Sequence, residues 1–314
     1  MEPSNDHHPL IIILGPTASG KTSLASHLAY NSDSEIISAD SRQVYQQMDI
    51  GTGKDLDEYI VNGQNIPYHL IDIKPPGYRY NIHEFKADFD SAYSQIRAKG
   101  KLPILCGGSG LYIEAVLKGH EHTQVPENEN LRKELSQFEN KNLLETLANL
   151  PNPNQIKIDT STRKRLIRGI EILTFLKENH LNKNPGKNYN SIIFGLNPER
   201  EKRRNKITKR LKYRLENGLI EEVKNLLESG ISPEDLKYYG LEYKLVTEFL
   251  EGKLNQQTLF EKLNTSIHQF AKRQMTWFRK MEKDGFEIIW VNDELTFEEK
   301  IDFLLKKLNQ FRLI

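Results

Sequence analysis

The sequence predicts an α/β protein: a parallel sheet flanked by helices, with a mainly helical module inserted into it and a helical C-terminal part. Three observations carry that expectation. An apolar run, Leu10-Ile-Ile-Ile-Leu14, leads straight into Gly15-Pro-Thr-Ala-Ser-Gly-Lys-Thr22 and then into a helical pattern. Strand-like and helix-like segments go on alternating to about residue 118, as a parallel sheet with crossover helices requires. From about Gly119 to Lys187 the pattern changes to helices rich in Asn, Glu and Lys. The expected organisation is a core in two parts, 1–118 and 189–314, around a helical module at 119–188.

The first strand ends where a phosphate-binding loop, a P-loop, begins. Gly15 and Gly20 let the backbone curl with its amides facing inward, and the helix that follows adds the positive end of its dipole. The whole run Gly15, Pro16, Thr17, Ala18, Ser19, Gly20, Lys21 and Thr22 is the candidate cradle for a diphosphate or nucleotide. Within it Lys21 supplies a mobile charge for the outer phosphate, and the Thr22 hydroxyl is the usual Mg²⁺ ligand. Kinases, hydrolases and some transferases share such a loop, so it does not say which polyphosphate is held.

Beyond the helix at Thr22–Ala29, strands are expected at Glu35–Asp40 and His69–Ile73. A helix then opens with a capping box at Asn81 and Glu84 and ends near Gly100. Leu102–Cys106 reads as another strand, and Gly107-Gly-Ser-Gly110 as a second glycine-rich turn into a helix. Pro151-Asn-Pro153 and Asn182–Lys187 break the helical module. Ser191–Leu196 returns to a strand pattern, and the remainder is mostly helical with Gly218, Gly230 and Gly252 as stops.

Composition bounds the class. The 314 residues are 37% hydrophobic and 28% charged, with no run near the roughly 18 apolar residues of a membrane span. The first nine residues lack the pattern of a signal peptide, and a cytoplasmic location is expected. Cys106, the single cysteine, lies in an apolar run and reads as a core residue. Net charge is only +1, yet basic residues cluster at Arg163–Arg168, Arg200–Arg214 and Lys272–Lys280, the last with interleaved aromatics. Each cluster could be a solvated helix face. Together they favour contacts to a phosphate backbone.

In open parallel sheets ligands sit beyond the carboxyl ends of the strands. Asp40, at such an end, could be a metal ligand, a general base toward a second substrate, or a cap on the next turn. Ser109 could cap its helix or contact phosphate. Near the C-terminus Leu263, Ile267, Phe270, Gln274, Trp277 and Met281 fall at helical spacing. Trp277 and Phe278 are therefore expected as core anchors, Lys272, Arg273 and Arg279 as nucleic-acid candidates, and Gln274 with a hydrogen-bond partner.

Six segments in this order go further: Gly15–Thr22, Ile37–Tyr45, Met48–Thr52, His69–Asp72, Gly107–Tyr112 and Ala271–Arg279. Together they resemble the bacterial tRNA dimethylallyltransferase family, from the first strand to about Trp290. The resemblance implies transfer of a dimethylallyl group from dimethylallyl diphosphate to N6 of the adenosine 3′ of the anticodon, tRNA position 37, with release of pyrophosphate. It places a prenyl diphosphate rather than ATP in the loop, with Mg²⁺ as cofactor. By family position Asp40 matches the general base, Ser109 a hydroxyl on the diphosphate side of the breaking bond, and Arg210 an arginine that neutralises pyrophosphate. Asp40, Ser41, Arg42 and Gln43 match the segment that contacts the target nucleotide. Lys164, Arg165, Leu166, Ile167 and Arg168 match a stretch that contacts tRNA. No membrane partner is implied, and a monomer is expected.

Two segments depart from the family pattern. Gly51-Thr-Gly-Lys-Asp-Leu56 stands where Gly-Thr-Ala-Lys-Pro is usual, and Lys237–Lys244 replaces a shorter Gly-Tyr-Arg or Gly-Tyr-Lys pattern. Two other classes of function stay open on the residues alone: prenylation of a free adenylate, which needs neither three basic clusters nor a helical insert, and an ATP-driven kinase or RNA-binding module.

Overall fold

A computed structural model describes residues 8–118, 125–152, 156, 158–179 and 189–311. The chain divides into two compact units, one formed by Met1–Leu117 with Lys187–Ile314 and the other by Lys118–Gly186. The helix break at Asn182–Lys187, and part of that at Pro151–Pro153, fall outside the described residues.

The larger unit is built on a six-stranded parallel sheet. Its strands are β1 (His8–Leu14), β2 (Glu35–Ser38), β5 (Tyr68–His69), β6 (Pro103–Gly107), β7 (Tyr189–Leu196) and β8 (Ile288–Val291), with β3 (Ile60–Val61) and β4 (Gln64–Asn65) forming a separate antiparallel hairpin. The order across the sheet is β5-β2-β6-β1-β7-β8. Central position explains the unbroken apolar run of β1, whose residues Leu10 to Leu14 are all fully buried. Leu10, Ile12 and Leu14 face one layer of helices and Ile11 and Ile13 the other, following the two-residue period of a strand.

Helices α1 (Lys21–Asn31) and α12 (Phe297–Gln310) cover one face, packing Leu24, Leu28, Leu304 and Leu308 against Ile11, Ile13 and Phe194. On the other face α2 (Ile82–Ala98) brings Phe85, Phe89 and Tyr93 to the sheet, after a capping box in which Asn81 and Glu84 satisfy each other's backbone amides. The same layer takes α3 (Gly110–Lys118) and a C-terminal group: α7 (Arg200–Glu216), α8 (Leu219–Glu228), α9 (Pro233–Tyr238), α10 (Leu241–Leu250) and α11 (Gln256–Lys283). Gly218, Gly230 and Gly252 follow α7, α8 and α10 with positive φ, as helix stops do. In the smaller unit α4 (Glu129–Leu135), α5 (Asn140–Ala148) and α6 (Arg163–Glu178) enclose a core of Leu135, Leu143, Leu166 and Ile170.

Two elements differ from the sequence expectation. His69–Ile73 is not a five-residue strand, because Leu70 and Asp72 adopt positive φ and turn the chain away after His69. That turn carries the Asp72 carboxylate to Lys54, a buried lysine that also binds Asp49 at 2.8 Å and the Tyr45 carbonyl. The second difference is β8, which adds an edge strand beside β7 within a stretch that reads as mostly helical. Its signal, Ile-Ile-Trp-Val after Gly285, is short and is outweighed by the helical pattern around it.

Candidate active site

At the carboxyl ends of β1, β2 and β6 the larger unit holds a cavity of about 790 Å³. Of the residues expected at the site it gathers Thr17, Ala18, Gly20, Lys21, Thr22, Asp40, Ser41, Arg42, Gln43, Ser109 and Arg210. Gly15, Pro16 and Ser19 form the back of the loop: the Ser19 amide donates to the Pro16 carbonyl at 3.3 Å, and the Ser19 hydroxyl is buried without a partner among the described residues.

Gln274 pins the loop open. Its Oε1 accepts from the Thr17 amide at 2.8 Å and its Nε2 donates to the Gly108 carbonyl at 2.9 Å, so one α11 side chain ties the first glycine-rich turn to the second. The approach needs glycine on the other side, because a Cβ at residue 108 would lie 2.3 Å from Gln274 Nε2 and one at residue 110 would lie 2.2 Å from the Trp277 ring. Gln274→Leu leaves two enclosed backbone groups unpaired, at about 1–3 kcal/mol for each. Urea denaturation should show at least that loss from one of them, and unchanged stability would show that the bridge carries nothing.

Asp40 follows β2, and its Oδ1 accepts the Arg42 amide at 2.9 Å, which fixes the carboxylate at the rim of the turn. Ser109 caps α3 through its carbonyl, which takes the Tyr112 and Ile113 amides at 3.0 and 3.1 Å, while its side chain lines the cavity. Gln43 bridges protein to protein, accepting from Ser38 Oγ at 3.0 Å and donating to the Gly53 carbonyl at 3.1 Å. Arg42 lies over the Tyr238 ring, 5.3 Å from its centroid.

Arg210 reaches in from α7 and donates to the Thr17 hydroxyl. Burial, and then the neighbouring Arg214, depress its pKa to about 10, which still leaves it charged at neutral pH. The cavity lining also includes residues outside the set expected at the site: Asp55, Glu58, Lys206, Arg214, Glu242 and Gly110 among them. Burial, with Asp55 adding, raises the Glu58 pKa against the pull of Lys21, Arg210 and the Thr22 hydroxyl. Burial also raises Glu242, whose charge is opposed by Asp40 and favoured by Arg214 and Arg210. Arg214 had a readable signal, since it lies four residues after Arg210 on one helix face. Glu58 had none, because no periodicity places a short turn against a distant loop.

Three readings of side-chain placement change. Phe270 is not on the buried stripe of α11 but 41% exposed and on the cavity wall; the stripe runs through Ala271, Met275 and Phe278. Trp277 packs against the core as expected but only half-buried, on the same cavity wall, and donates from Nε1 to Glu114 at 3.0 Å, whereas Phe278 is fully buried. In the smaller unit Leu166 is 3% exposed and belongs to the core, and Arg168 spends its guanidinium on the Val125 and Pro126 carbonyls and Glu171. Leu166 is thus unable to meet RNA, and the outward charge of that segment rests on Lys164 and Arg165, the latter paired with Asp159 at 2.8 Å. Cys106 is a core residue as expected, its thiol pushed up to about 12 by burial.

Comparison with known proteins places this geometry. The profile described as IPP transferase matches residues 43–281, and that described as isopentenyl transferase matches residues 8–68. The tRNA dimethylallyltransferase 2 of Bacteroides fragilis is 53% identical over 306 residues, covering 97% of this chain and 99% of that one. The chain belongs to the tRNA dimethylallyltransferase family. It is accordingly an enzyme, a prenyltransferase. A tRNA dimethylallyltransferase 1 from Geotalea daltonii is 47% identical, with 90% of each chain covered. Among solved structures, a tRNA isopentenylpyrophosphate transferase from Bacillus halodurans superposes with a TM-score of 0.69 at 31% identity, over 96% of this chain and 97% of that one. A eukaryotic dimethylallyltransferase acting on tRNA gives 0.76 at 21% identity over 97% and 79%, a likeness of fold.

Among the described residues no helix is long and apolar enough to cross a membrane, and no three His, Cys, Asp or Glu side chains cluster as metal ligands. The Thr22 hydroxyl and the Glu58 carboxylate line the same cavity and offer oxygen donors, which suits Mg²⁺ held mainly by a substrate's phosphates.

Proposed function

We propose that this member of the tRNA dimethylallyltransferase family transfers a dimethylallyl group from dimethylallyl diphosphate to N6 of the adenosine at tRNA position 37, releasing pyrophosphate. The observation that carries the reading is one cavity lined at once by a phosphate loop, an arginine on that loop, a hydroxyl and a carboxylate. Phosphoryl transfer can draw on the same four groups; membership of the tRNA dimethylallyltransferase family favours their use in prenyl transfer.

The reaction breaks the allylic C1–O bond and forms a C1–N6 bond. Negative charge grows on the departing pyrophosphate, which the loop amides, Lys21 and Arg210 face, and Ser109 adds a hydroxyl donor. Thr22, with Glu58 beside it, would hold Mg²⁺, and that ion would supply further positive charge to the diphosphate. As N6 becomes bonded to carbon it carries a surplus proton, which Asp40 accepts. Leu111, Ile267, Phe270 and Trp277 give the cavity an apolar side, fit for an alkenyl chain or the face of a base. An adenosine reaches such a site only out of its stack, so binding combines backbone charge with contacts to the extruded base. The enzyme acts as a monomer in the cytoplasm in this reading.

Labelled dimethylallyl diphosphate with Mg²⁺, offered unmodified tRNA, AMP or no acceptor beside ATP, tests the function. Label in tRNA alone is expected; label in AMP or release of phosphate from ATP would favour the other two classes. Charge removal at Lys164 and Arg165 should weaken tRNA binding and lower the slope of log K against log salt by about 0.7–0.9 for each phosphate no longer neutralised. An unchanged slope makes those residues a solvated face. Arg168→Ala should instead lower the melting temperature, since its partners are carbonyls of its own chain.

A further inference from the structure

Helix α7 aims two guanidiniums into the cavity from one face, Arg210 and Arg214 four residues apart. The two are unequal. The Arg214 side chain is 10% exposed and that of Arg210 is 32% exposed, so Arg214 is the inner member and Arg210 the one that reaches the phosphate loop. Like charges repel, and Arg214 adds to burial in destabilising the Arg210 charge. One carboxylate lies against both. Asp55 takes Arg214 Nη2 at 3.1 Å on each of its oxygens and stands 4.0 Å from Arg210 Nη1.

The loop around Asp55 is shaped to this contact. Gly53, at φ +72°, leaves the space Arg214 occupies, because a Cβ there would lie 2.7 Å from Nη2. Lys54 is anchored inward on Asp49 and Asp72, so the loop presents Asp55 from a fixed base. Gly53 and Asp55 are the two positions at which Gly51–Leu56 departs from Gly-Thr-Ala-Lys-Pro. The second departing segment, Lys237–Lys244, supplies Glu242, whose charge also favours both arginines. Both unusual segments thus bring a carboxylate to the same cavity.

We propose that Asp55 is a positioning residue for the transfer reaction: by clamping Arg214 it offsets the repulsion between the guanidiniums and holds Arg210 against the phosphate loop, ready for the departing pyrophosphate. The inference rests on the proposed function, in which Arg210 meets the diphosphate. Charge and position then separate in a signed way. Asp55→Asn adds one net positive charge to the cavity and frees Arg210 from its hold, so pyrophosphate binds more tightly while transfer slows. Arg214→Met removes a positive charge and leaves Asp55 to pair with Arg210 alone, so pyrophosphate binds less tightly.

Calorimetric titration with inorganic pyrophosphate and Mg²⁺, beside single-turnover transfer to tRNA, reads both effects. Asp55→Asn should tighten pyrophosphate binding roughly three- to tenfold and slow transfer about tenfold or more, and Arg214→Met should weaken binding by a similar factor. The double variant should return to within about twofold of the parent in binding, because the two charge changes cancel. Parallel loss of binding and rate in Asp55→Asn, or no change in either, overturns the proposal. Should Asp55→Asn fail to fold, unchanged or tighter pyrophosphate binding by Arg214→Met overturns it alone. Arg210→Gln separates the two levels: if it binds pyrophosphate as the parent does, the functional reading falls and this inference with it, whereas weakened binding there with silent Asp55 and Arg214 variants removes the inference only.

Discussion

Asp40→Asn is expected to slow the transfer step by roughly 10²–10⁴-fold while leaving tRNA affinity nearly intact, the loss typical of a positioned base. The substitution is a clean one here. Asp40 Oδ1 accepts the Arg42 amide at 2.9 Å, and an asparagine keeps an oxygen for that bond, so the turn after β2 should survive. What disappears is a group able to take the N6 proton. Single-turnover rates with saturating tRNA give the effect on chemistry, and filter binding gives the affinity. A rate near that of the parent would remove Asp40 from the mechanism, and a matching loss of affinity would make it a binding residue instead.

Arg210→Gln should cost about 10²–10³-fold in the same step, as loss of a preorganised donor to developing charge does elsewhere. The donor is held in place before any substrate arrives, through the Thr17 hydroxyl and beside Asp55. Its pH behaviour follows from its surroundings. Burial and Arg214 bring its pKa down to about 10, and a depressed base loses its charge as pH rises through that value. Transfer by the parent should accordingly fall on the alkaline side near pH 10, later if bound diphosphate holds the proton on, and the Arg210→Gln enzyme should lack that limb. An identical alkaline limb in the variant would assign it to another group.

Much of this site could be read from sequence because its chemistry is local. A phosphate loop needs Gly15, Gly20, Lys21 and Thr22 within eight residues, and a capping box needs only Asn81 and Glu84. Gln274 was legible too, as a polar residue on an apolar face that had to be satisfied, although nothing in its neighbourhood names Thr17 and Gly108 as partners. Partners distant in the chain were out of reach. Asp55 with Arg214, separated by 159 positions, and Glu58 with Thr22 meet only after the sheet has formed. Periodicity also resolves a helix face no better than one position, which is why it puts Phe270 in the core and leaves Ala271 out. The strand expected at His69–Ile73 fails for a different reason: Leu70 and Ile71 are buried, but Leu70 and Asp72 take positive φ to deliver a carboxylate to Lys54.

In the proposed reaction the diphosphate held by this loop leaves whole, with the organic group going to a tRNA adenosine. Mass spectrometry of nucleosides from unmodified tRNA, after incubation with the protein, dimethylallyl diphosphate and Mg²⁺, tests it when pyrophosphate is assayed in the same tube. The expected result is N6-dimethylallyladenosine from the position 3′ of the anticodon, with one pyrophosphate released for each. Unmodified adenosine throughout, or phosphate released without prenylated nucleoside, would contradict it.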